Sequence, residues 1–185
     1  CAAQSAALPG QVNDDTDLFL VSPTIPAQRP NVLIIWDNTA NWSQTVSGST
    51  AYALEKQALS TILSGLSDQF NIGLMLFTET GGGNPSTRGA YPRYHIRQMT
   101  PDSGGVPGNR TNLANLIRSL NETGPAGDKG SNAQYARAMH EAYLYFGGRS
   151  ALAGAGQVKR DYAAFGGSAS GTTYVSPVGD GCQKN

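Results

Sequence analysis

The stretch Asn31-Val-Leu-Ile-Ile-Trp-Asp-Asn-Thr-Ala-Asn41 decides how this chain is read. Residues 32–36 form an unbroken apolar run, rich in β-branched side chains and too short for an ordinary helix. Such a run predicts a strand buried on both faces, as in a parallel sheet. It delivers Asp37 at its carboxyl end, with Thr39 and Asn41 following at alternate positions. Ligand sites in open α/β sheets form just beyond the carboxyl ends of the strands. A carboxylate joined by hydroxyl and amide oxygens is also a donor set that suits a hard cation such as Mg²⁺.

Working outward, residues 1–14 are small and polar and read as an irregular arm. Residues 18–21 predict a short strand, stopped by Ser22-Pro23 and Pro26. After the loop 42–50, a helix is predicted over 51–69. Leu59, Ile62, Leu63, Leu66 and Phe70 recur on it at three- and four-residue spacing, which marks a buried face. Residues 72–77 predict a second buried strand, interrupted by Gly73 alone. The Gly-rich segment 79–89 reads as a long turn, and 91–99 alternates as an edge strand does. Leu113, Leu116, Ile117 and Leu120 mark a short helix. Tyr135, Met139, Ala142, Tyr143 and Phe146 mark another, stopped at Gly147-Gly148. From 147 to 181 no periodicity is evident, a long structureless stretch that needs explaining. The chain thus divides into an arm (1–30), an α/β unit (31–146) and a Gly-rich loop or tail (147–185).

The 185 residues suffice for one domain with a sizeable core. Thirteen basic residues balance thirteen acidic ones, so no electrostatic footprint for nucleic acid exists. No apolar stretch is long enough to span a bilayer. The start Cys1-Ala-Ala-Gln reads as a mature end left after signal-peptide removal, which implies a secreted or cell-surface protein. Two readings compete for Cys1: lipid modification, or a disulfide with Cys182, the other cysteine. The even count in an exported chain favours the disulfide.

The quoted stretch resembles the opening of a von Willebrand factor A domain, whose first strand runs into Asp-x-Ser-x-Ser. That loop here is Asp37-Asn38-Thr39-Ala40-Asn41, with an amide at Asn41 in place of the second hydroxyl. Among such domains the wording is similar to the amino-terminal region of the PilC/PilY-type factors of type IV pili. The similar pieces are Asp15-Thr-Asp-Leu-Phe-Leu-Val21, Arg29-Pro-Asn-Val-Leu-Ile-Ile35, Asp68-Gln-Phe-Asn-Ile-Gly-Leu-Met75 and Phe77-Thr-Glu-Thr80. The resemblance runs from about residue 15 to 146.

It implies an α/β fold: the first half of a Rossmann-like three-layer sandwich, mainly parallel, with an antiparallel edge strand. It also implies a metal-ion-dependent adhesion site for Mg²⁺ or another divalent cation. Asp37, Thr39 and Asn41 would form its first loop, and Ser131, just before the Tyr135 helix, would serve the second. The family's third-loop Asp would fall beyond Asn185. The plain alternative is that Asp37 and Thr39 cap the turn after the strand with local hydrogen bonds.

Other chemistry finds little support. Neither His95 nor His140 has a partner at useful spacing. Gly167-Ser-Ala-Ser-Gly171 fails the nucleophile-elbow pattern because its centre is Ala169. Gly127-Asp-Lys-Gly-Ser131 lacks the order of a phosphate loop. Trp36 reads as core and Trp42 as a candidate for an exposed contact surface. With no nucleophile–base pair, the chain reads as no enzyme. The leading expectation is an extracellular adhesion or assembly module of a type IV pilus-associated protein. Its sheet would be completed by a protein partner or by the family's second half, and pilus or filament subunits are candidate partners. The alternative is a metal-free structural subunit or sheath piece of a surface assembly.

Overall fold

The computed structural model describes residues 29–79, 89–122, 127–130 and 134–178. The expected arm, the strand at 18–21, Ser131 and the Cys1–Cys182 pair lie outside the described residues. Strand β1 (Asn31–Trp36) leads through a 3-10 turn (Ala40–Ser43) into a small hairpin, β2 (Thr45–Val46) and β3 (Ser49–Thr50). Ser47 and Gly48, both at positive φ, make its two-residue turn. Helix α1 (Ala51–Gly65) follows, capped by the Thr50 hydroxyl, which accepts from the Ala53 N–H at 3.2 Å. Then come β4 (Asn71–Phe77), β5 (Ala90–Gln98), α2 (Asn109–Ser119) and α3 (Tyr135–Phe146).

The result is a mixed α/β fold around a three-stranded sheet in the order β1-β4-β5. β1 pairs with β4 in parallel, and β5 joins β4 antiparallel as an edge strand. Side chains alternate between two clusters. Ile34, Trp36, Ile72, Leu74 and Leu76 face α1 and α2, together with Leu63, Leu113 and Ile117. Leu33, Ile35, Met75 and Phe77 face α3, together with Ala138, Ala142 and Tyr145. Period-two alternation therefore feeds cores on both faces of the sheet. Gly73 is a requirement of this packing. A Cβ there would lie 2.6 Å from Ile96 Cγ1 and 2.9 Å from the Tyr94 carbonyl oxygen, at the register shift between β4 and β5.

Besides the loop expected over 42–50, part of which is the β2–β3 hairpin, three expectations change. β1 is not buried on both faces: Val32 is 39% exposed and Leu33, Ile34 and Ile35 are half-buried, because β4 is its one neighbour among the described residues. α1 ends at Gly65, four residues early, and Ile62 on its expected buried face is exposed. Leu63 takes the central place there, under α2.

The third change concerns the Gly-rich stretch, which over 147–178 holds a defined course without regular periodicity. Two short 3-10 turns, Gly154–Gly156 and Tyr162–Phe165, and a bridge between Ser150 and Thr173 shape it. It inserts Ala164, Phe165 and Tyr174 into the α3-side core. It also covers the free edge of β5. The Asp161 N–H donates to the Pro92 carbonyl at 2.9 Å, and the Asp161 carboxylate accepts from the His95 N–H at 2.8 Å. Among the described residues, no helix is long and apolar enough to cross a membrane.

Candidate functional site

Parallel pairing of β1 and β4 brings two carboxyl ends together, and the loops that leave them meet there. Asp37 stands at the end of β1. Its Oδ1 accepts the Thr39 N–H at 3.0 Å and the Thr39 hydroxyl at 2.5 Å, the local capping that an Asp-x-Thr turn favours. Its Oδ2 accepts the hydroxyl of Tyr135, the first residue of α3, at 2.5 Å. The Tyr135 ring stands edge-on to Phe77, with centroids 5.5 Å apart. Donation to Asp37, and then the charge of that carboxylate, push the Tyr135 hydroxyl pKa above its ordinary value.

Asn38 points the other way and is fully buried. Its Oδ1 accepts the Phe77 N–H at 2.8 Å, while its amide donates to the Phe77 carbonyl at 3.0 Å and to the Asp128 carbonyl. Its own carbonyl accepts the Gly130 N–H at 2.8 Å. One side chain thus extends the β1–β4 ladder by a step and straps the segment 127–130 beneath the site. Gly130 fits closely here, since a Cβ would come 3.1 Å from the Thr78 carbonyl oxygen.

A charged cluster supports that strap from behind. Buried Asp128 accepts Lys159 Nζ at 2.9 Å, and Arg93 lies 3.9 Å away. Lys159 also donates to the Gly127 carbonyl at 2.8 Å and lies 4.0 Å from Glu79. Glu79 accepts the Tyr91 hydroxyl, and burial pushes its carboxyl above the usual range. On the opposite flank Glu55 accepts both indole N–H groups, from Trp36 at 2.6 Å and Trp42 at 3.1 Å. Trp42 is 2% exposed and stacks edge-on between Trp36 and Tyr52, so it is core and no contact surface.

Of the four residues expected to ligate a cation, Asp37 and Thr39 are brought together. Asn41 sits exposed on the 3-10 turn, and its side chain makes no hydrogen bond to Asp37. The helical turn carries it outward, where an extended loop would have aligned it with Thr39. Ser131 is outside the described residues, one position past Gly130. No group of three or more His, Cys, Asp or Glu side chains gathers for a metal among the described residues. The donor set still fits Mg²⁺ chemically: oxygens only, with one carboxylate, for an ion that keeps several of its waters.

Asn38, Asp128 and Tyr135 escaped the sequence reading. Asn38 lies in the quoted loop without a role of its own, Asp128 stands in the pattern that fails as a phosphate loop, and Tyr135 counts only among the positions that mark its helix. No family model, curated protein or solved structure matches the chain.

Proposed function

We propose that this chain is a binding module of von Willebrand factor A type, in its first half, from an exported pilus-associated adhesion or assembly protein. The observation that carries this reading is Asp37 at the carboxyl end of β1, beside a parallel neighbour, with Thr39 converging on its carboxylate. Asp37 and Thr39 would hold a divalent cation, with Ser131 as a further oxygen donor and Asn41 at the rim. Such an ion supplies an open coordination position that a carboxylate from a partner can fill; it binds and does not transform. Asn38 holds the two loops at fixed spacing from beneath. Among the described residues β1 pairs on one side only, and its other side calls for a strand from a partner or from the family's second half, since open apolar edges recruit other strands.

The test is thermal. Mg²⁺ or Mn²⁺ should raise the melting temperature of the 185-residue chain, because a ligand that binds only the folded state stabilises it. Asp37→Ala should remove that rise while melting stays cooperative. A flat response in the unaltered protein sinks the cation reading. It would favour a metal-free structural piece of a surface assembly, which the saturation of both Asp37 oxygens by internal donors also supports.

A further inference from the structure

Tyr135 is 60% exposed, yet its hydroxyl is tied to Asp37 across 98 positions of sequence. Exposed tyrosines ordinarily leave the hydroxyl in water, so this bond has a structural cause. α3 begins at Tyr135, and the edge-on contact with Phe77 fixes the ring above the end of β4. From there the hydroxyl reaches Asp37 Oδ2, the oxygen that Thr39 leaves free. The three donors on Asp37 are not equivalent. The Thr39 N–H is held by the turn and can stay when a cation arrives at the carboxylate. The Thr39 hydroxyl can rotate its proton away and offer a lone pair in the same place. The Tyr135 phenol occupies Oδ2 with a proton it cannot turn away without losing the bond, so an ion that ligates that oxygen has to displace it.

We propose that Tyr135 is a tethered competitor at Asp37, which sets the affinity of the site by occupying the outward carboxylate oxygen until a divalent cation displaces it. This rests on the cation reading given above. It adds a residue that controls the site without ligating in it, and a signal that reports occupancy. Displacement moves a phenol from a carboxylate partner into water, which changes its near-ultraviolet absorbance. The chain has eight tyrosines, so the assignment requires the variant lacking this hydroxyl.

The experiment titrates Mn²⁺ and Mg²⁺ into the unaltered chain, Tyr135→Phe and Asp37→Ala. Binding is read by calorimetry, and displacement by tyrosine difference absorbance. Tyr135→Phe keeps the ring on Phe77 and removes only the donor. It should bind Mn²⁺ roughly tenfold tighter, the scale of one hydrogen bond to a charged group. The unaltered protein should give an absorbance change that saturates with binding and is missing in Tyr135→Phe. Equal or weaker binding by Tyr135→Phe, with the unaltered chain binding normally, overturns the competitor role and leaves the cation reading standing. Binding by neither protein, with Asp37→Ala indistinguishable from both, overturns both.

Discussion

At the scale of single residues, the polar side chains that matter most are those that finish hydrogen bonds the backbone cannot. Asn38 is the main case. Beyond Trp36 the β1 ladder has run out, and the N–H and carbonyl of Phe77 would face the loop after β1 unpaired. A buried unpaired group costs about 1–3 kcal/mol, and the Asn38 amide, with one acceptor and two donor hydrogens, satisfies both ends of Phe77. His95 solves a similar problem at the other face. The Tyr145 hydroxyl accepts the Ile96 N–H at 2.8 Å, which leaves its proton for His95 Nδ1, also at 2.8 Å. With neutral imidazole protonated on Nε2, Nδ1 accepts that proton. Burial, and then Arg97, hold the His95 pKa below its ordinary 6.5, with Asp161 opposing. A base whose folded pKa is depressed contributes stability that is complete above pH 6.5 and declines as pH falls through the lower, folded value. Urea unfolding at pH 7.5 and pH 5 should therefore show a loss that His95→Gln reduces. Equal losses in the two proteins would count against this role for His95.

At the scale of elements, the three strands of the main sheet and the three helices were legible, whereas the β2–β3 hairpin and the irregular stretch after α3 were not. β4 announced itself through apolar residues broken by Gly73 alone, and α3 through the glycine pair that ends it, although Tyr135, Met139 and Tyr143 of its apolar spacing are exposed and Ala138, Glu141 and Tyr145 are the buried ones. Hydrophobic period is a local property, so it marks an element without knowledge of the neighbours but does not say which face they cover. The half-buried state of β1 depended on what lies beside it, which no period encodes. The stretch after α3 failed for a different reason: its order comes from contacts made elsewhere. Glu141 of α3 is fully buried and accepts the N–H groups of Leu152, Ala153 and Gly154 at 2.9–3.1 Å and the Tyr174 hydroxyl at 2.5 Å. One carboxylate thereby holds two parts of the stretch, 152–154 and 174, onto the helix. In the sequence the same glutamate looks like an ordinary charge on a helix.

The glycine at 154 makes that cradle possible. A Cβ there would come 2.0 Å from the Tyr174 hydroxyl and 3.1 Å from Glu141 Oε1. Gly154→Ala should cost about 3 kcal/mol by overpacking and loss of these bonds. Gly156→Ala, two positions on and facing open space, should stay within about 0.5 kcal/mol. Urea midpoints of the two variants check this. Equal effects would show that the cradle does not anchor the stretch. The candidate site was legible in the same divided way. Asp37 and Thr39 are neighbours in sequence and could be read together. Tyr135 and Asp128 reach the site only through the packing of α3 and of the stretch 147–178.

At the scale of the molecule, the two edges of the sheet are treated differently. The β5 edge is covered by the chain's own residues around Asp161. The β1 edge has no such cover among the described residues. The Asn71 amide donates to the Pro30 carbonyl, which fixes the phase of the parallel ladder. Val32, Ile34 and Trp36 therefore turn their N–H groups toward β4, and Leu33 and Ile35 turn theirs outward. Amide hydrogen exchange should record that as an alternation along a single strand: slow at 32, 34 and 36, fast at 33 and 35. A strand added from outside would slow the fast positions without altering the slow ones. The pattern is thus a footprint that distinguishes edge pairing from any other kind of association. Uniform protection along β1 in dilute monomer would show that the edge is already occupied. Where Leu33 and Ile35 exchange freely at low concentration and slowly at high concentration, a second copy of the chain is the strand that closes the sheet.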